Sequence, residues 1–174
     1  PDAQAVVFEN RSITYRELNT RANLLSHYLV EHGVKPGKPA AICMERSFDM
    51  VVGILAVLKA GGAYVPLDPV YPEERIVFIL DDANVKVLLT QRKHANRFSD
   101  LKVRVVELDK TSMAQSDDVS ADNLNNSNPV STGVSANAAY IIYTSGTTGI
   151  PKGVTITHKN LLSLLYAFEH ATPS

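Results

Sequence analysis

The sequence predicts an α/β protein in which alternating strands and helices form a largely parallel sheet. Short runs rich in apolar and β-branched residues recur along the chain and are typical of buried strands. Segments with helical periodicity and capping residues lie between these runs. The 174 residues suffice for one domain with a substantial core, and an apolar fraction of 45% is ordinary for a globular protein.

The first elements are a small hairpin and an amphipathic helix. Residues 5–9 and 12–15 are two short strands with a turn between them. Thr14 is then placed to cap a helix, and Glu17, three residues on, completes a capping box. The apolar residues of this segment fall on one helical face, and Gly33 marks its end.

The next two elements are a strand and a helix, and both are expected to be buried. Residues 39–44 form the strand, and Ser47 is placed to cap the helix. Apolar residues leave this helix almost no polar face, so it must lie inside the protein, and the pair Gly61-Gly62 ends it.

A further strand and helix follow. Residues 63–65 are predicted to form a brief strand that Pro66 stops, because proline has no N–H for a sheet ladder. Pro72 suits the first turn of a helix, and the two glutamates after it favour the positive end of the helix dipole. The apolar stripe of this helix runs to Ala83.

The pattern continues and is then interrupted. Residues 86–90 form a strand, residues 91–98 a short polar helix and residues 103–108 another strand. Residues 111–137 contain no lysine or arginine, three aspartates and many serines and asparagines, without apolar period. We therefore expect a surface or disordered excursion there.

Net charge and cysteine content limit the possible partners and location. A net charge of −1 argues against non-specific attraction to nucleic acid or to an anionic membrane. No apolar segment reaches transmembrane length, and the first residues show no signal-peptide pattern. The single Cys43 lies in an apolar run, which indicates a buried packing thiol in a reducing compartment. We expect a cytoplasmic protein with no nucleic-acid or membrane partner.

The most informative stretch lies between two strands near the end of the chain. Residues 138–143 and 154–157 form the strands, and residues 158–170 form a helix with an apolar side. The intervening stretch combines hydroxyls, glycines and one lysine, which are the ingredients of a phosphate cradle. We expect the apolar side of the final helix to be buried; its residues are Leu161, Leu162, Leu164, Leu165 and Phe168. The candidate phosphate-binding residues are Thr144, Ser145, Gly146, Thr147, Thr148, Gly149 and Lys152.

Two common phosphate-binding motifs are excluded. A Walker A loop requires G-x-x-x-x-G-K-[ST] between a strand and a helix, whereas Lys152 follows a proline, precedes a glycine and is followed by a strand. No G-x-G-x-x-G fingerprint is present either. The stretch is therefore a strand–loop–strand connection. Composition alone leaves open that it is a long hairpin loop whose glycines and threonines serve only turn geometry.

A family resemblance favours the phosphate-binding interpretation. Residues 144–153 read T-S-G-T-T-G-I-P-K-G, which is similar to the signature loop of the acyl-adenylate-forming superfamily at every position. Residues 13–19 resemble the first core motif of the adenylation domains of nonribosomal peptide synthetases. Residues 58–69 resemble the second motif, and residues 71–76 continue it. The resemblance to the early part of that family covers the chain except residues 111–137.

The resemblance implies a fold position and an activity. The chain would be a partial N-terminal subdomain over residues 1–174, from the large subdomain of an adenylate-forming enzyme. Such domains use ATP and Mg²⁺ to convert an amino acid into an aminoacyl-adenylate, release pyrophosphate and load the phosphopantetheine thiol of a carrier domain. Partners would be the amino-acid substrate, the remainder of the adenylation domain and the carrier domain.

The resemblance also implies residue roles. The hydroxyls of the loop and the backbone of Gly146 and Gly149 would bind the β- and γ-phosphates, and Lys152 would supply the catalytic point charge. The three glycines of the stretch would let the loop close over ATP. The family's later motifs for adenine, ribose and magnesium, and its C-terminal subdomain with a catalytic lysine, are not in this sequence. Lys152 is not that lysine, the metal ligands are not indicated, and these residues alone are expected to be inactive.

Two alternatives remain. The first is that the chain belongs to an aryl- or acyl-coenzyme A ligase of the same superfamily, although the A-G-G-A-Y-V-P stretch at residues 60–66 is more typical of amino-acid activation. The second is a truncated, non-catalytic docking or scaffold segment. The sequence does not indicate which amino acid is activated.

Overall fold

The computed structural model describes residues 1–108, 127–129, 134–145 and 150–171. Within these residues there are eight strands, five α-helices and one 3₁₀ turn. The strands are β1 (Gln4–Phe8), β2 (Arg11–Thr14), β3 (Ala40–Cys43), β4 (Tyr64–Leu67), β5 (Val87–Thr90), β6 (Arg104–Glu107), β7 (Ala138–Thr144) and β8 (Lys152–Thr157). The helices are α1 (Tyr15–Glu31), α2 (Phe48–Lys59), α3 (Glu73–Asp82), α4 (Arg92–Ala95) and α5 (His158–Ala171), and the 3₁₀ turn is Asn96–Phe98.

Six of the strands form the central sheet, in the order β6-β5-β3-β4-β7-β8. Neighbouring strands from β6 to β7 are parallel, whereas β8 pairs antiparallel with β7. Strands β1 and β2 form a separate hairpin. The α/β class and the largely parallel sheet predicted from the sequence are therefore confirmed.

The alternation of side chains along β3 divides the core between the two faces of the sheet. Ala40 and Ile42 belong to the cluster that contains α1 and α2. Ala41 and Cys43 belong to the cluster that contains α3 and the 3₁₀ turn. No residue of α2 is exposed, as its nearly uniform apolar composition predicts.

The N-terminal caps form largely as expected. The Thr14 hydroxyl accepts from the Glu17 N–H at 3.1 Å, and the Ser47 hydroxyl accepts from the Met50 N–H at 3.1 Å. The reciprocal half of the capping box is replaced, because the Glu17 carboxylate pairs with Arg21 one turn further on. Thr14 is also the last residue of β2.

Helices α1, α2 and α3 share one type of C-terminal ending. A residue with positive φ follows each helix: Gly33 (φ 88°), Gly61 (φ 80°) and Asn84 (φ 51°). The next residue then donates its N–H to the carbonyl five residues earlier: Val34 to Leu29, Gly62 to Val57 and Val85 to Leu80, at 2.9–3.0 Å. These are Schellman motifs, which satisfy the last carbonyls and turn the chain back towards the sheet.

Pro66 does not end β4, contrary to the sequence prediction, since the strand continues to Leu67. The Ala40 N–H donates to the Ala63 carbonyl at 3.0 Å, so residues 63, 65 and 67 direct their peptide groups towards β3. The missing N–H of Pro66 therefore faces β7. Strands β4 and β7 share one residue pair, Tyr64 opposite Tyr140, so their pairing ends before Pro66. The proline is tolerated because no hydrogen bond to β7 is required from its nitrogen.

The apolar side of α5 is not buried, contrary to the sequence prediction. Leu161 is half-buried, but the other four apolar residues are 49–62% exposed: Leu162, Leu164, Leu165 and Phe168. Among the described residues α5 packs against the ends of β7 and β8, and no second layer covers its outer surface. Amphipathic periodicity predicted the helix correctly but did not show which part of the protein covers it.

Most of the predicted excursion at residues 111–137 lies outside the described residues. Ser127 and Asn128 are exposed, and both contact the α1–α2 layer. The Asn128 side-chain oxygen accepts from the Lys59 ammonium at 2.9 Å, and the Ser127 carbonyl is 3.1 Å from His27 Nε2. None of the helices in the described ranges combines the length and apolar character needed to cross a bilayer.

Candidate functional site

The candidate site lies at the carboxyl edge of the parallel strands. Because β3, β4 and β7 run in the same direction, residues 44–46, 68–71 and 144–145 emerge side by side. Helix α2 leaves β3 on one face of the sheet, and α3 leaves β4 on the other. Such a divergence opens a crevice outside the strand ends, which is where open α/β sheets bind ligands.

A cavity of about 730 Å³ occupies this position. Its lining is largely apolar and includes Met44, Leu67 and Ile142, together with the charged residues Arg46 and Asp68. Tyr143 forms part of the wall directly before the glycine-rich stretch. The cavity therefore adjoins the end of β7, the strand that leads into the predicted phosphate loop.

The two strand ends that flank the glycine-rich stretch pair with each other at the end of an antiparallel ladder. We call this pair of strand ends the loop stem, or the base of the loop, and its two strands the arms. Thr144, the last residue of β7, lies opposite Lys152, the first residue of β8. Thr144, Ser145 and Lys152 are all exposed. In the part of the chain that the structure describes, the Lys152 ammonium has no ion pair. An exposed cation next to two hydroxyls can bind anionic oxygens without first breaking an internal contact.

The structure brings together three of the seven predicted site residues. Thr144, Ser145 and Lys152 lie at the base of the loop, whereas Gly146, Thr147, Thr148 and Gly149 lie outside the described residues. The strand–loop–strand connection predicted in place of a Walker loop is observed in its two flanking strands.

Gly153 has a different role from the loop flexibility assigned to it from the sequence. It lies within β8, opposite Tyr143, and its φ is not positive. A Cβ at this position would lie 3.0 Å from Tyr143 Cζ and 3.1 Å from Ile141 Cγ2. The absence of a side chain therefore lets the Tyr143 ring lie against the β8 backbone.

Tyr143 was not predicted as a site residue, yet it connects the loop stem to α3. Its hydroxyl donates to Asp82 Oδ2 at the last residue of that helix. Burial and then this hydrogen bond raise the pKa of the Tyr143 hydroxyl well above its usual range, so the phenol stays a donor. Sequence spacing carries no signal for this contact, since 61 residues separate the partners.

An arginine outside the predicted site holds the segment after β4. The Arg97 guanidinium donates to the Pro69 carbonyl and, at 3.0 Å, to the Tyr71 carbonyl. The Arg75 guanidinium lies 4.5 Å from the centre of the Tyr71 ring. These contacts shape the wall of the cavity formed by residues 68–71.

The segment after β3 is also fixed in place. The Glu45 N–H donates to the Gln91 side-chain oxygen at 3.0 Å, and its carboxylate pairs with Lys93 at 2.5 Å. The hydrogen bond from Lys93 lowers the pKa of the Glu45 carboxyl. Because this ion pair is exposed, it orients the segment more than it stabilises the fold.

The described residues fit a polyphosphate better than they fit a metal ion. The exposed ammonium and hydroxyls at the loop base are suitable donors for phosphate oxygens. In residues 1–108, 127–129, 134–145 and 150–171, three or more His, Cys, Asp or Glu side chains do not come together as a metal site. Ligands for Mg²⁺ are therefore not assigned within these ranges.

Comparison with known proteins gives long multidomain relatives. The chain is 45% identical to a dimodular nonribosomal peptide synthase of Bacillus subtilis (strain 168) over 172 residues, which cover 98% of this chain and 7% of that protein. It is 46% identical over 170 residues to gramicidin S synthase 2 of Brevibacillus brevis, covering 97% and 4% respectively. The chain therefore spans a small part of the relatives that it matches.

The fold agrees with that of a solved nonribosomal peptide synthetase. A crystal structure of an FmoA3 variant in its alpha-methyl-L-serine-AMP bound form superposes with a TM-score of 0.84 at 28% identity. The match covers 98% of this chain and 18% of that chain. The family model described as AMP-binding enzyme matches residues 1–173. The chain therefore belongs to the AMP-binding enzyme family.

Proposed function

We propose that this chain is part of an ATP-dependent ligase that activates an amino acid as its aminoacyl-adenylate during nonribosomal peptide synthesis. One observation carries the proposal: Lys152, Thr144 and Ser145 are exposed together at the carboxyl edge of the sheet, beside the cavity. The relatives support it, since they are peptide synthetases, and an FmoA3 variant has been solved in an AMPPNP-bound form.

In the proposed reaction, the amino-acid carboxylate attacks the α-phosphorus of ATP. A carboxylate oxygen–phosphorus bond forms, and the bond from the α-phosphorus to the bridging oxygen of pyrophosphate breaks. Negative charge builds on the departing pyrophosphate, and the Lys152 ammonium with the Thr144 and Ser145 hydroxyls binds its oxygens. Mg²⁺, when bound with the nucleotide, neutralises further phosphate charge. The other members of this cradle are Gly146, Thr147, Thr148 and Gly149, whose role rests on the motif alone.

The chain covers 7% of the dimodular synthase and 18% of the FmoA3 chain that it resembles. We infer that residues 1–174 form a partial N-terminal subdomain, and that the remainder of the adenylation domain supplies the adenine and amino-acid contacts. A carrier domain with a phosphopantetheine thiol then accepts the activated amino acid. We also propose a cytoplasmic location, in line with the low cysteine content of the sequence.

Exchange of labelled pyrophosphate into ATP tests the proposal in the complete enzyme that contains this chain. The wild-type enzyme should catalyse exchange with one amino acid or a small set of them. Lys152→Ala should lower the exchange rate by about a hundredfold, as expected for loss of one well-placed charge-stabilising donor. Lys86→Ala is the matched control, because Lys86 is exposed and lies directly before β5, at the amino ends of the parallel strands and away from the candidate site.

The substrate dependence of exchange distinguishes the alternatives. Exchange with an aryl or fatty acid, but with no amino acid, would identify a coenzyme A ligase of the same superfamily. If no carboxylic acid supports exchange, the enzymatic proposal is wrong, and the result favours a non-catalytic docking or scaffold segment. An unchanged rate for Lys152→Ala would contradict the role assigned to the loop base.

A further inference from the structure

Tyr143, a residue of β7, connects the loop stem to α3 through its side chain. The residue belongs to β7, its ring lies against Gly153 of β8, and its hydroxyl donates to Asp82 at the end of α3. Tyr143 is only 9% exposed. It directly precedes Thr144, and Gly153 directly follows Lys152. One side chain therefore touches both arms of the loop, each one residue from a candidate phosphate-binding residue.

The position of Asp82 is unfavourable for α3 considered alone. A carboxylate at a helix C-terminus faces the negative end of the helix dipole, and the last turn of α3 contains no basic residue. Its hydrogen bond to Tyr143 gives this carboxylate a partner from a distant part of the sequence. Asp82 is exposed, so solvent also reaches it.

We propose that Tyr143, held by Asp82 and packed against Gly153, is a positioning residue for Thr144 and Lys152, the residues at the two ends of the phosphate loop. This inference rests on the proposed function. The hydrogen bond fixes the ring relative to α3, and the ring in turn fixes the position of the two arms relative to that helix. Thr144 and Lys152, one from each arm, are then in position before the phosphates bind, so their placement does not have to be established during the reaction.

Tyr143→Phe tests the proposal, because it removes the hydroxyl and keeps the ring. In the complete enzyme we expect the KM for ATP in pyrophosphate exchange to rise about tenfold, as for loss of one hydrogen bond to a charged group. The KM for the amino acid should stay within about twofold of wild type. A general loss of folding would not separate the two substrates in this way.

Tyr140→Phe is the matched control. Tyr140 lies on the same strand, on the other face of the sheet, where its ring centre is 5.4 Å from that of Tyr64. Its KM values should equal those of wild type. If Tyr143→Phe also leaves the KM for ATP unchanged while wild type and Lys152→Ala behave as proposed, the positioning role is wrong and the proposed function stands.

Two further variants test the geometry. Asp82→Ala should raise the KM for ATP at least as much as Tyr143→Phe, because it leaves the part-buried Tyr143 hydroxyl without its acceptor. Gly153→Ala should have a similar effect, since the added Cβ displaces the ring. Combining Tyr143→Phe with Asp82→Ala should give no more than the larger single effect, because both remove one interaction. Fully multiplicative effects would contradict the proposed pairing.

Amide hydrogen exchange gives a readout that does not depend on activity. In the complete enzyme without nucleotide, Tyr143→Phe should increase exchange in peptides that cover residues 141–145 and 150–155. Peptides from β3 and β5 should be unchanged. Equal protection of the loop arms in wild type and Tyr143→Phe would overturn the inference even if the enzyme showed no pyrophosphate exchange.

Discussion

A methyl group added at position 62 tests the packing of the α2 C-terminus. A Cβ on Gly62 would lie 2.5 Å from Val34 Cγ1, 3.2 Å from the Lys38 carbonyl oxygen and 3.4 Å from Val57 Cγ1. Carbon atoms in favourable contact are about 3.5–4.0 Å apart, so Val34 would have to move by about 1 Å. Val34 is 1% exposed and has little space to move into.

The expected loss of stability follows from two opposing terms. Overpacking of this kind costs about 1–3 kcal/mol, and the severe contact places Gly62→Ala near the upper end. Reduced freedom of the unfolded chain offsets about 0.4–1 kcal/mol of this cost. We therefore expect the free energy of unfolding to fall by about 2 kcal/mol, with Tm lower by about 4–8 °C.

Gly61→Ala is the informative comparison. Gly61 has φ 80°, so alanine there is strained, but its Cβ would meet Pro36 Cδ at 3.2 Å rather than the core. Left-handed backbone costs a non-glycine residue about 1–2 kcal/mol, which the unfolded-state term again reduces. We expect Gly61→Ala to lower the free energy of unfolding by about 1 kcal/mol.

Equilibrium urea unfolding of the 174-residue chain measures these effects. The protein has seven tyrosines and no tryptophan, so tyrosine fluorescence and far-UV circular dichroism are suitable probes. Val34→Ala should cost about 2 kcal/mol alone, and the double variant with Gly62→Ala should be at least about 1 kcal/mol more stable than the sum predicts. Additive effects, or a Gly62→Ala chain as stable as wild type, would refute the steric argument.

Two further predictions concern the core thiol and the end of α3. Burial raises the pKa of Cys43 from 9.0 to about 11, although the charge of Arg97 opposes this. The folded state therefore binds the thiol proton more tightly than the unfolded state does. The resulting contribution to the free energy of unfolding is fully present below about pH 9 and is lost as the pH rises towards 11. Urea titrations across that range should show a smaller decline in stability for Cys43→Ala than for wild type. Asn84 has φ 51° at the end of α3, so Asn84→Ala should be about 1 kcal/mol less stable than Asn84→Gly by the same assay.

Local chemistry explains which parts of the fold could be predicted from the sequence. The caps at Thr14 and Ser47 and the helix ends near Gly33 and Gly61 depend on residues within one turn of each other. Hydrophobic periodicity places the intervening strands and helices. Because these signals are local, the order of elements and the α/β class follow from them.

Features that depend on distant residues could not be predicted in this way. Strand β4 can continue through Pro66 because the proline nitrogen faces β7, and the pairing with β7 has already ended at that point. This can be recognised only from the order of strands in the sheet. The exposed side of α5 shows that periodicity identifies an apolar surface but not what covers it. Among site residues, Thr144, Ser145 and Lys152 were found by motif, whereas Asp82 and Tyr143 meet only through the fold.

The single pair between β4 and β7 has a mechanical consequence for the hairpin. Strands β7 and β8 are hydrogen-bonded to each other from Ala138 to Thr144, so they form a stiff two-stranded ribbon. Its root is Tyr140, the residue paired with β4, and its tip is the end that carries Thr144 and Lys152. The distance from that root to Thr144 is about 13 Å at roughly 3.3 Å per residue. A rotation of about 10° at the root would carry the tip, with Lys152, through about 2 Å, and the hydrogen bond from Tyr143 to Asp82 is a contact that opposes this rotation.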